Sequence, residues 1–353
     1  MRKIIDSHVH LYNVYDSFGK DFCNCLDDMQ KQHGVAAFNI ASIPTHENYG
    51  VDQNILAALY KLHNPKCYAY GGIFYPEAPV TFPLPKGMDS LTQYTELMEM
   101  GFDGIKLLEL KPAEQKEFQV LTSHSYYDDL FDMCDKNNTP MLMHVADPDT
   151  FWDIKRIPPR FIERGWFYGD GTYLSLEEVY SEAYKILEKH PCLDVTFAHF
   201  FFYSETPEKL IELFEKYPNV KIDLAPGSEM FASFDQNLEF YKEFFKKYSN
   251  RIVFGTDTSL MENTKEDYER YNSISDSVYK FLSTDETITI YGVSSRGICL
   301  DDESLDNILY KNFEKSAGKT PKAMNEDKIK KYITKYYDYI KDEKLKKWCD
   351  KIL

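Results

Sequence analysis

The chain predicts an α/β protein closed as a (β/α)8 barrel, and three observations carry that expectation. Short apolar runs alternate with amphipathic stretches eight times over about 257 residues, which implies a parallel sheet with right-handed crossovers. The first run, Ile4-Ile5-Asp6-Ser7-His8-Val9-His10-Leu11, alternates polar and apolar positions with period two, as a strand with two unlike faces does. An open doubly wound sheet would place a glycine-rich phosphate turn after that strand, where Leu11-Tyr12-Asn13-Val14 stands instead. A length of 353 residues suits one barrel of about 250 residues with insertions, or two ordinary domains, and the alternation favours the barrel.

In order, residues 12–33 read as a loop and a helix ending before Gly34. Strand two, 35–42, is short and apolar, as a strand buried on both faces should be. A helix over 51–64 ends before Pro65, and 67–74 is strand three. A polar, proline-rich segment at 76–87 precedes a helix over 89–100 and strand four, 104–110. Helix 125–136 leads to strand five, 140–145; a long aromatic insertion, 147–174, then precedes helix 175–189 and strand six, 194–200. Helix 206–216, strand seven (220–226), helix 235–247 and strand eight (251–257) complete the alternation, followed by helices over 265–283 and 305–313. From 323 onward Ile329, Tyr332, Ile333, Tyr336 and Ile340 recur at helical spacing. The expected organisation is a barrel over 1–316 and a helical extension, 317–353, packed on the barrel or at a dimer contact.

A net charge of −16 argues against general affinity for nucleic acid or anionic membrane. No signal peptide precedes the first strand and no apolar run approaches the ~18 residues of a membrane span, so a cytoplasmic protein is expected. The seven cysteines show no repeating spacing; Cys23 and Cys25 form C-x-C, and free thiols in a reducing compartment account for them more simply than zinc does.

The chemistry is expected at the carboxyl ends of the strands. His8 and His10 lie two strand steps apart, about 6.5 Å, so both imidazoles can converge on one cation. Lys106 lies on strand four, while His144, His199 and Asp257 end strands five, six and eight, each after an apolar run. Such a mixed nitrogen and oxygen set suits zinc first, with manganese, iron or cobalt as alternatives. Leaving one such group buried and unpaired would cost several kcal/mol, a cost removed by gathering them around an ion. His33, His63 and His190 each stand at a predicted helix end, where the dipole explains them; His46 sits in a loop near the rim, and His124 starts a helix. The insertion carries Trp152, Trp166, Phe167 and Tyr168 with Arg156 and Arg160, which reads equally as a lid selecting a planar or anionic substrate or as a satellite cluster under a long loop.

Together, Asp6-x-His8-x-His10, Gly104-Ile105-Lys106-Leu107, His144, Ala198-His199 and Phe254-Gly255-Thr256-Asp257 resemble the amidohydrolase superfamily. The branch most similar is the mononuclear one containing "amidohydrolase 2" and aminocarboxymuconate semialdehyde decarboxylase-like proteins, with the resemblance reaching about residue 316 through Leu305–Phe313. It implies metal ligands His8, His10, His144 and Asp257, with His199 and Asp257 as catalytic groups. It also implies a small-molecule substrate anchored by Lys106, to which the reading of the insertion as a lid adds Trp152, Trp166 and Arg160. One divalent ion is expected, a second only if Lys106 is carboxylated, and family habit suggests a homodimer. The expected activity is hydrolysis of a small carbonyl, ester, lactone or amide substrate; the alternative is non-oxidative decarboxylation of an unsaturated or aromatic acid on the same site. A TatD-like deoxyribonuclease fits less well, since that pattern has a glutamate on strand four and the chain is strongly acidic. A barrel kept for binding alone would lack ligands, and none is missing here.

Overall fold

A computed structural model describes residues 2–12, 34–45, 50–227, 229–260 and 265–353. The helix expected within 12–33, the Cys23/Cys25 pair, His33 and His46 lie outside the described residues. The strands are β1 (Ile4–Leu11), β2 (Val35–Ala41), β3 (Tyr68–Gly71), β4 (Gly104–Leu110), β5 (Met141–Val145), β6 (Val195–Phe197), β7 (Lys221–Asp223), β8 (Ile252–Val253) and β9 (Thr258–Leu260). All pair in parallel, in the order β8-β7-β6-β5-β4-β3-β2-β1-β9.

The sheet closes through the eighth strand. The sequence predicts it as one run over 251–257, but it divides: Ile252 pairs with Ile222 on one side, and Thr258 pairs with Val9 on the other. The intervening 254–257 leave the ladder, with Asp257 at φ 51°, and the Ser7 amide donates to the Phe254 carbonyl across the gap at 3.0 Å. The chain is therefore a (β/α)8 barrel whose last strand is broken where its carboxylate turns inward.

β1 also departs from simple alternation. Between Asp6 and Val9 its register slips against Phe38 and Ile40, three steps opposing two, as at a β-bulge. Ile5 joins the cluster of Ala37, Ala41, Tyr68, Tyr70, Leu142, Ala198 and Val253 that Phe313 closes, and Ser7 borders the same interior cleft. After the slip His8 and His10 face the site, so Asp6 does not share their direction, contrary to strict alternation. Instead the buried Asp6 carboxylate accepts from the Thr256 amide (3.2 Å), the Thr256 hydroxyl (2.7 Å) and the His8 amide (3.1 Å), pinning β1 to the broken strand.

Helices cover the outside, with apolar stripes on the main core; those at Asp52–His63, Ser90–Met100, Asp128–Asn137, Leu176–Lys189, Pro207–Lys216 and Lys265–Ser283 match their expected positions. The helix expected over 235–247 is two, Met230–Gln236 and Leu238–Lys247, broken at the non-helical Asn237 (φ −131°, ψ 51°). Sequence reading missed the helix Pro112–Phe118, the terminal helix Glu343–Ile352 and the antiparallel hairpin β10 (Thr287–Ile290) and β11 (Val293–Arg296). The extension lies on the barrel: helix Glu326–Tyr336 buries Ile329, Tyr332, Ile333 and Tyr336 against helices Ser90–Met100 and Asp52–His63. Asp52 accepts from the Lys341 and Asp342 amides, and Asp103, which holds the buried Lys61, accepts from the Lys322 amide. Among the described residues no helix is long and apolar enough to cross a membrane.

Removing the Asp6 carboxylate strands two buried donors of Thr256. Asp6→Ala is expected to cost about 2–4 kcal/mol, read as a lower urea midpoint at unchanged slope. A loss below about 0.5 kcal/mol, the ordinary surface value, would show that the seam does not depend on it.

Candidate metal centre

The site is built from strand ends that turn sharply. Ala146 after β5, His199 to Phe202 after β6 and Asp257 after β8 all have positive φ. The left-handed turn at His199–Phe202 costs about 1–2 kcal/mol per residue and survives because the rings around it are fixed. Phe200 and Phe201 are fully buried, and Phe201 stacks on Phe197 with centroids 4.2 Å apart. His199 is thereby aimed across the barrel mouth.

Which nitrogen each ring presents is set by a second layer of partners. His8 Nδ1 donates to Asp223 Oδ2 at 2.8 Å, and His10 Nδ1 donates to the Ala41 carbonyl at 2.7 Å. His199 Nδ1 faces the Ala225 carbonyl at 3.1 Å. Because these partners only accept, each Nδ1 carries a proton, which leaves Nε2 as the nitrogen turned to the site. Asp223 also takes the His199 amide at 2.7 Å and the Ala225 amide at 3.1 Å through Oδ1, so one buried carboxylate orients two of the histidines.

The Nε2 atoms of His8 and His10 stand 3.1 Å apart. Two lone pairs at that distance with no proton between them repel, unless a cation lies beside both. Asp257 Oδ1 lies 3.4 Å from His8 Nε2 and 3.1 Å from His10 Nε2, and Asp257 Oδ2 lies 3.9 Å from His199 Nε2. His8, His199 and Asp257 offer ligand atoms within 4.8 Å of one another. Burial, with Lys106 beside it, lowers the His8 pKa to about 4, so His8 is a neutral donor near pH 7. Two or three imidazoles and a carboxylate fit a divalent cation of the borderline class.

His144 lies next in the ring of histidines, its centroid 4.9 Å from that of His199. Its Nε2 faces the Ala146 carbonyl at 2.8 Å and Asp147 at 3.3 Å, which leaves Nδ1 as its lone pair; burial lowers its pKa to about 3. Lys106 Nζ is 3.5 Å from His8 Nε2, and burial lowers its pKa to about 8 against the raising charges of Asp257 and Asp223.

Above the cluster opens a cavity of about 510 Å³, bordered by His144, His199 and Asp257 and by Phe151, Arg160, Phe161, Arg164 and Trp166 of the insertion. A larger groove of about 870 Å³ beyond Phe202 and Pro148 contains none of the strand-end ligands. The insertion has its own apolar cluster of Phe151, Ile157 and Tyr168, and it also walls the cavity. Within it Trp166 and Arg160 line the cavity, whereas the Trp152 indole N–H is spent on the Leu174 carbonyl at 2.9 Å and Trp152 lies outside the lining. Arg156 pairs with Asp149. His63 bonds the Leu59 carbonyl of its own helix end, and His124 is exposed and stacked on Phe82.

Sequence reading missed Asp223, Lys111, Arg164 and Tyr291. Asp223 is the last residue of β7, between Ile222 and Leu224, and testing every strand end for an ionisable group would have found it. Lys111 pairs with Asp147 (2.8 Å) and sits 4.7 Å over the Trp166 ring, a contact that no spacing announces. Tyr291 sits at the tip of the missed hairpin.

The amidohydrolase family model matches residues 5–312. Among solved structures, the chain is similar to an uncharacterised TIM-barrel protein, Bb4693, from Bordetella bronchiseptica, at 14% identity and TM-score 0.52, covering 89% of this chain and 98% of that one. It is similar to 4-oxalomesaconate hydratase, LigJ, from Rhodopseudomonas palustris, at 12% identity and TM-score 0.50 over 95% and 99% of the two chains. It is also similar to IDCase from Metarhizium anisopliae at 12% identity and TM-score 0.50, over 89% and 97%. No curated protein matches the chain in sequence. At these identities the solved structures speak to the fold.

Asp223→Asn keeps the shape but removes the charge that holds the His8 proton on Nδ1. It is expected to weaken zinc affinity about 10- to 100-fold, measured by competition with a chromogenic chelator. Unchanged affinity would mean that Asp223 acts only on the backbone of His199 and Ala225.

Proposed function

The chain belongs to the amidohydrolase family, and on that premise we propose that it is a metal-dependent hydrolase of a small substrate with a carbonyl, ester, lactone or amide centre. The observation that supports this best is the approach of the Nε2 atoms of His8 and His10, 3.1 Å apart and both beside Asp257. One divalent ion, zinc first, would be held by His8, His10 and Asp257. The side-chain geometry favours His199 Nε2 as the fourth donor, whereas the family resemblance assigns that place to His144, here through Nδ1, and leaves His199 as the catalytic imidazole.

When bound, such an ion acidifies a water and polarises a carbonyl oxygen. The protein's own groups do the rest. Asp257 faces the cavity and takes the proton released as water attacks, then returns it to the leaving group. The Lys106 ammonium, deep in the site, neutralises charge that gathers on the carbonyl oxygen. Trp166 and Arg160 hold the substrate body at the insertion wall.

Decarboxylation of a small acid on the same site is the second reading, and the cationic wall supports it. Arg160 and Arg164 line the cavity with no carboxylate within 4.0 Å among the described residues, although the chain carries a net charge of −16. Such a wall suits an anionic substrate.

Purified protein is expected to contain about one equivalent of metal, falling to near zero in His8→Ala, by elemental analysis. Two equivalents would instead favour a carboxylated, bridging Lys106. Loss of metal in His199→Ala but not His144→Ala would assign the fourth ligand to His199, and the reverse to His144. A panel of aryl esters, lactones, amides and carboxylic acids, followed for hydrolysis and for carbon dioxide release, separates the two reactions. Carbon dioxide release without hydrolysis would replace the first reading by the second.

A further inference from the structure

The hairpin of β10 and β11 turns through two residues, Tyr291 and Gly292, between the paired Ile290 and Val293. Both central residues have positive φ, 51° and 80°, the signature of a type I′ turn, whose first position is normally Asn, Asp or Gly. Tyrosine there is strained, and nothing in the hairpin requires it: the ring is half exposed and packs in no core cluster. A side chain kept in a disfavoured conformation at a cavity points to a role in that cavity.

The placement agrees. Tyr291 lines the 510 Å³ cavity together with Asp257 and His199, and with Phe161, Arg160 and Trp166 of the insertion. Its hydroxyl bonds to nothing among the described residues. The hairpin beneath it is firmly held: the Arg296 amide donates to Asp235 at 2.9 Å, the Gly297 amide to the Glu286 carbonyl at 2.8 Å, and the Ile298 amide to the Phe281 carbonyl at 2.7 Å. A rigid arm thus carries one unpartnered donor to the mouth of the site.

We infer that Tyr291 contacts the substrate, its hydroxyl donating a hydrogen bond to a carbonyl or carboxylate oxygen of an aryl or unsaturated ligand sandwiched between the hairpin and the aromatic wall of the insertion. This rests on the functional reading above for the identity of the reaction, though not for the binding contact. Loss of one neutral hydrogen bond lowers affinity about 3- to 10-fold.

The test uses metal-replete full-length protein, with benzamide and benzoate as unreactive probes titrated against tryptophan fluorescence, and Trp166→Phe protein identifying the cavity signal. Turnover of p-nitrophenyl acetate gives kcat/KM. Tyr291→Phe, which keeps the ring, is expected to raise the probe Kd about 3- to 10-fold and to lower kcat/KM by at least as much. Tyr291→Asn, which suits the turn, is expected to raise Tm by about 1–3 °C while losing the same affinity. Unchanged Kd and kcat/KM in Tyr291→Phe overturn the inference and leave the hydrolase reading standing. Probe binding without any turnover in the parent sinks the hydrolase reading, and the Kd ratio still decides the role of Tyr291. A parent that neither binds a probe nor turns over the ester overturns both.

Discussion

The facing lone pairs of His8 and His10 constrain the structure more than any other contact. Burial keeps His8 neutral, and each ring has its Nδ1 proton committed to an acceptor that cannot give one back: Asp223 for His8, the Ala41 carbonyl for His10. No tautomer exchange relieves the 3.1 Å approach of the Nε2 atoms without breaking one of those bonds. A cation beside both nitrogens, a proton or a metal ion, turns that approach into attraction. Asp223 matters accordingly, because it fixes His8 directly and His199 through the backbone amide.

That arrangement depends on two irregularities in the barrel. The slip in β1 brings His8 and His10 to the inner face above Ile5 and Ser7, while Asp6 turns to the seam. The break in the eighth strand lets Asp257 leave the ladder and turn in. Asp6 and Thr256 join these two features, so the contact that closes the barrel also sets the separation between the histidines and the carboxylate. Stability and site geometry share one set of hydrogen bonds.

The wall above the ion site has the opposite electrostatic character to the molecule. In an acidic chain, Arg160 and Arg164 line one cavity with Lys111, which is paired with Asp147, and aromatic rings hold all three. Arg160 lies 4.8 Å over Phe161, Arg164 lies 5.4 Å over Trp166, and the two rings stack 5.7 Å apart. Cation–π contacts of this kind order long side chains without neutralising them. The net charge keeps polyanions away, while the local field favours a small anion or a developing oxyanion.

Much of this was legible from the chain alone. The alternation of apolar runs and helices defines a (β/α)8 barrel because a parallel strand buried on both faces must be apolar, and an ionisable residue ending such a run must emerge at the rim. That logic reaches His8, His10, Lys106, His144, His199 and Asp257 and, applied more evenly, would have reached Asp223. Spacing could not show the bulge in β1, the break at 254–257, the nitrogen each imidazole presents, or the turning of Trp152 toward Leu174. Except at His144, where Ala146 and Asp147 follow closely in the chain, these are decided by partners 22 to 250 residues away, and a preference for strand or helix carries no information about such distances. Local sequence chose which polar groups arrive at the rim; only the closed barrel decided which atom of each one faces the others.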